Sequence, residues 1–180
     1  MQAIFRKGHT VIFGHHKSIF NPISSNNSVF DQLQHLTEIM IVPVGANSFE
    51  EAMQMGSETY HHLKSVIIEK YGSGGCNVGD DGGFAPNVSS VFEGLDLTKE
   101  AVHRAGYSGR IKFAIDVGAT EFCIGKKYDL DFKSPHKSGQ NFKTGEDMIE
   151  MYSKLCAEYP IISIEQPFDK DDWGAHTATY

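Results

Sequence analysis

From Ser48 to Gly72 the apolar positions return every three or four residues, at Phe49, Ala52 or Met53, Gly56, Tyr60, Leu63, Ile67 and Tyr71. That period predicts an amphipathic helix. Ser48 followed by Glu51 supplies a capping box at its start, and Gly72 a stop just past its end. The same syntax recurs over 90–106, with Ser90, Glu93 and Gly106, and over 144–160, with Thr144, Asp147 and Pro160. Three helices are expected. Met53 and Met55 read as core filler in the first of them, and His61 and His62 as solvated or core-edge histidines.

Between and before these helices lie short apolar runs of a different kind: Ile39 to Val44, Arg110 to Asp116 and Ile161 to Glu165. Each is rich in β-branched side chains and too short for a helix, which predicts buried strands. The Cys76–Val78 segment, leading into Gly79-Asp80-Asp81-Gly82-Gly83, fills a fourth strand slot. Helix and strand then alternate, and alternation implies parallel strands joined by right-handed crossovers, an α/β layered or barrel fold.

Composition narrows the function. A 180-residue chain that is 40% hydrophobic is long enough for one domain with a core. A net charge of −7 argues against a nucleic-acid or anionic-membrane surface and permits cation binding. Three cysteines without CxxC spacing exclude a disulfide framework and a zinc ribbon, which fits a reducing compartment. The charge is unevenly spread: Arg6, Lys7 and Lys17 precede the first acid, Asp31. Residues 1–30 therefore read as an atypical, poorly ordered leader, with too little Ser and Arg for a transit sequence, and residues 31–180 as the folded domain.

Asp80-Asp81, Asp116 and Glu165 each stand at the C-terminal end of an expected strand. In a parallel barrel those ends share one edge, the edge at which active sites are built. Carboxylates gathered there repel one another unless a cation neutralises them, and Mg²⁺ is the economical partner. One alternative rests on "IDVGAT", in which Asp116, Gly118 and Thr120 have the pattern of an actin-like or sugar-kinase phosphate turn. The plainer reading makes each acid a turn cap or a surface ion-pair partner.

The order and spacing of "TEIMIVPVGANSFEEAMQMGSETYHHLK", "NVGDDGGFAPN", "FAIDVGATEF", "YDLDFKSP" and "IEQPFDKDDW" resemble enolase, phosphopyruvate hydratase, from about Thr37 to Trp173. The resemblance implies a partial (β/α) TIM-type barrel covering roughly the first half of the catalytic domain, without the N-terminal capping domain and the C-terminal half of the barrel. It implies Mg²⁺-dependent dehydration of 2-phosphoglycerate to phosphoenolpyruvate in glycolysis, in a cytoplasmic and commonly homodimeric family, with no nucleic-acid or membrane partner. By the same resemblance Asp116 and Glu165 are metal ligands, while Glu38 and Asp81 take acid or water-positioning roles.

The pattern is also broken in places. Asp81 stands for a glutamate, Thr37 for a glutamine and Gln166 for an aspartate, and Val29 lies where a substrate-facing histidine is expected. The resemblance further implies that a third metal ligand and the base lysine lie outside this sequence. An inactive, enolase-derived fragment is thus an alternative to the enzyme.

Overall fold

The computed structural model describes residues 38–79, 82–88, 90–130 and 142–177 in full, and residues 4–6, 10–12, 18–20 and 178 by their backbone. Strands β1 (Ile4–Arg6) and β2 (Thr10–Ile12) form an antiparallel pair. The main sheet has the order β3-β4-β5-β9, from β3 (Ser18–Phe20), β4 (Glu38–Val42), β5 (Lys112–Asp116) and β9 (Ile161–Glu165). A small antiparallel sheet follows β5, made of β6 (Cys123–Ile124), β7 (Lys127–Asp129) and β8 (Phe142–Lys143).

The expected helices form as α1 (Phe49–Tyr71), α2 (Val91–Arg104) and α3 (Gly145–Glu158), and a short α4 (Trp173–Ala178) ends the described chain. Their caps differ in detail. At α3 the box is complete, with Thr144 and Asp147 each accepting from the other's backbone N–H. At α1 and α2 only the serine half is made, because the glutamates are drawn elsewhere. Glu93 pairs with Lys70 and Tyr71 at the end of α1. Glu51 accepts from the Asn47 backbone and from Arg110, and these two hold its carboxyl down to about 2. Arg110 also donates to the Gly45 carbonyl at 2.7 Å. A Cβ at Gly45 would sit 2.8 Å from that of Arg110, so the β4–α1 loop can approach only as glycine.

The burial stripe of α1 is rotated from the expected one. Ala52, Met55, Thr59, Leu63, Val66 and Ile67 are buried, whereas Phe49 and Met53 lie about half exposed, at 53% and 49%. Met55 is core filler and Met53 is not. Positions three and four apart on this helix satisfy two neighbouring stripes equally, and packing against α2 and the sheet selects one.

Two expectations about topology are corrected. The Cys76–Val78 slot holds no strand: a 3-10 turn at Ser73–Cys76 is followed by a single bridge between Val78 and Phe84. Two helices, rather than one, therefore connect β4 to β5. With an even number of reversals replaced by an odd one, β5 re-enters the sheet antiparallel to β4. Among the described strands only β5 and β9, joined through the single main helix α3, are parallel.

Strand alternation divides the sheet into two faces. Ile39, Phe113 and Ile115 are buried with Leu63, Leu95 and Leu155 in the main core beneath the helices. Met40, Val42 and Ala114 form a separate small cluster on the opposite face.

Candidate functional site

The antiparallel run of β4 has a consequence for the acids. Glu38 opens β4, Asp116 closes β5 and Glu165 closes β9, yet the register pairs Glu38 with Asp116 and Asp116 with Glu165. Three carboxylates thus share one row across adjacent strands, on the face away from the helices. Had β4 been parallel, Glu38 would lie at the far end of the sheet. Neighbouring strands are about 4.8 Å apart. The next row along the same face is Met40, Ala114 and Ser163, uncharged and small at its centre.

The loops leaving β5 and β9 are laced together above this row. Val117 N–H donates to the Glu165 carbonyl and Ala119 N–H to the Gln166 carbonyl, each at 3.0 Å. Gly118, at φ 58°, turns its N–H back onto Asp116 Oδ1 at 3.1 Å, which orients that carboxyl. After β9 the chain is fixed by Tyr152, whose hydroxyl donates to the Pro167 carbonyl at 2.8 Å. Tyr128 is fully buried and bridges the acidic loop that follows: its hydroxyl donates to Asp172 Oδ2 at 2.7 Å and accepts from Asp169 N–H at 3.0 Å. Burial, then the Asp172 carboxylate, push the Tyr128 phenol well above its ordinary range. It stays a neutral donor.

Asp81 lies outside the described residues, as does Asp80. The flanks of their loop are well tied. Gly79 N–H donates to Gly83 O at 2.8 Å, Ala85 N–H to Asn77 O at 2.7 Å and Tyr60 to Gly82 O at 2.7 Å. The Phe84 ring stacks on Tyr60, with centroids 4.3 Å apart.

The donor chemistry of the row, carboxylate oxygens with no soft ligand, fits a hard divalent cation. Among the described residues no group of three or more His, Cys, Asp or Glu is placed to hold an ion. The fit therefore rests on the adjacent pair Asp116 and Glu165, in keeping with Mg²⁺, which binds through one or two carboxylates and keeps several waters. Thr120, the third member of the phosphate-turn pattern, accepts from Lys170 N–H through its hydroxyl at 3.3 Å.

Sequence reasoning did not find Tyr128 or the backbone of Gln166. Tyr128 meets Asp172 across 44 positions, a separation at which no local pattern signals contact. At Gln166 the sequence shows only a departure in residue type.

Residues 19–180 match the family model described as enolase, C-terminal TIM barrel domain. Cytosolic enolase 3 of Arabidopsis thaliana is 67% identical over 138 residues, which cover 77% of this chain and 29% of that relative. The match spans less than a third of the length of that relative.

Proposed function

The chain belongs to the enolase family, and on that premise we propose that it carries part of a site for the Mg²⁺-dependent dehydration of 2-phosphoglycerate to phosphoenolpyruvate, a lyase reaction of glycolysis in the cytosol. The observation that supports this reading is the row Glu38–Asp116–Glu165, three acids set side by side on a sheet face that the helices leave alone.

Asp116 and Glu165 would hold the cation. When bound, Mg²⁺ supplies positive charge against the extra negative charge that builds up on the substrate carboxylate as the α-proton leaves. The remaining work falls to this chain's own groups. Glu38 sits beside the pair and positions the departing hydroxyl and its water, and Asp81 delivers the proton to that hydroxyl. The Asp81 side chain is one methylene shorter than the glutamate it replaces, and a misplacement near 1 Å can cost on the order of 100-fold in rate.

Proton abstraction needs a base, and among the described residues no lysine stands on the row itself. Lys64 and Lys70 are exposed on α1, Lys126 in the turn before β7 and Lys127 at the start of β7. Lys112 shares the acid face but pairs with Val42 at the opposite end of β5, four residues and about 13 Å away. The isolated chain is therefore expected to bind Mg²⁺ weakly and to turn over no substrate.

Calorimetric titration with Mg²⁺, run beside an assay of phosphoenolpyruvate formation, tests both halves. The expected result is weak binding that Asp116→Ala abolishes, with no product. Tight stoichiometric binding would overturn the two-ligand assignment. Turnover near that of a complete enolase, lost in Asp116→Ala, would reveal a base within this chain and overturn the inactive-fragment reading.

A further inference from the structure

We propose that Gln166 is a positioning residue, whose left-handed backbone locks the end of β9 to the end of β5 and so fixes Glu165 beside Asp116. Its effect on a bound cation rests on the reading above, while the lock itself does not.

Gln166 is the single non-glycine residue at positive φ among those described, at 46°. A side chain bearing Cβ resists that region, and asparagine enters it more readily than glutamine. Such a conformation persists only where its surroundings over-determine it. Here they do, from both sides. On one side β9 is in register with β5 up to the pair Asp116 and Glu165. On the other, Pro167 disfavours the right-handed helical region for the residue before it, and its carbonyl accepts from Tyr152.

The hydrogen bonds explain what the strain accomplishes. In an extended strand successive carbonyls point to opposite sides, so only alternate ones face a given neighbour. The Glu165 and Gln166 carbonyls are consecutive, yet both accept from the same partner segment, from Val117 and Ala119. The turn to positive φ at Gln166 redirects the second carbonyl toward β5's exit loop. One more bond then lies beyond the last register pair, and the two acids are bracketed instead of standing at frayed strand ends. Val117 and Ala119 are themselves buried, at 1% and 0% exposure, so their N–H groups have no water to turn to if the bonds break.

The test compares the wild-type chain with Gln166→Asn and Gln166→Ile, by amide hydrogen exchange, thermal unfolding and Mn²⁺ binding followed through water-proton relaxation. Asparagine should keep the Val117 and Ala119 amides protected and raise Tm by about 2 to 4 °C. Isoleucine, β-branched and averse to positive φ, should speed exchange at those two amides at least about tenfold while Phe113 and Ile115 stay protected. It should weaken the Mn²⁺ dissociation constant about tenfold, the usual scale for losing a group that orients a ligand, and asparagine should retain wild-type affinity. Unchanged exchange in the isoleucine variant, or a less stable and less protected asparagine variant, would overturn the lock. Lost protection with unaltered Mn²⁺ affinity would overturn the positioning role. A wild-type chain that binds no Mn²⁺ would remove the cation reading instead, and the two amides would then decide the lock on their own.

Discussion

The two faces of the main sheet use the same strands under different rules. Beneath the helices, Phe113 and Ile115 are 1% and 0% exposed and join a core drawn from all three long helices. On the other face the same strand β5 presents Lys112, Ala114 and Asp116, of which only Ala114 is buried, in a cluster of three. The first face is determined by volume and apolar area, and its residues are chosen for packing. The second places three carboxylates in one row across adjacent strands, where like charges repel one another unless a cation neutralises them. Packing does not account for such a row, which points to a role outside folding.

The largest loss is expected on the packed face. Phe113→Ala should destabilise the chain by about 3 to 5 kcal/mol, as other large-to-small core substitutions do, seen as a fall in the urea midpoint with an unchanged slope. A loss below 1 kcal/mol would mean that this face is not the main core. In the small sheet, Tyr128→Phe removes the hydroxyl that ties Asp169 and Asp172 to β7. About 1.5 to 3 kcal/mol should follow, since a carboxylate loses its buried donor. The smallest effect belongs to the acid face. Asp116→Asn, which keeps an oxygen for the Gly118 N–H, should leave stability without added cation within about 0.5 kcal/mol of wild type and remove the stabilisation that Mg²⁺ confers. A large loss of intrinsic stability would make Asp116 a structural residue and erase the contrast.

The helices were legible in the sequence because their signals are local: a capping residue, a period, a glycine or proline at the end. So was the placement of Asp116 and Glu165 on one edge, since a single helix between two strands makes them parallel. The direction of β4 was not legible. It depended on whether Cys76–Val78 entered the sheet, and three residues next to a glycine-rich turn hold too little pattern to decide that. The error concealed a gain, because it is the antiparallel run that brings Glu38 into the row. The α1 stripe failed for a related reason: Met53 and Met55 have equal apolarity, and only the helix's neighbours choose between them. The strain at Gln166 was beyond reach, since it arises from bonds that Glu165 and Gln166 make to residues 48 and 47 positions earlier in the chain.

The acid row, rather than the packed face or the acidic loop after β9, is the proposed site of the divalent cation. Paramagnetic broadening by Mn²⁺ in the NMR spectrum of the labelled chain reads this directly. The expected result is broadening strongest at Glu38, Asp116, Gly118 and Glu165 and weakest at Leu63 and Leu95 in the packed core. Broadening centred on Asp169, Asp171 and Asp172 with the row unaffected would contradict it.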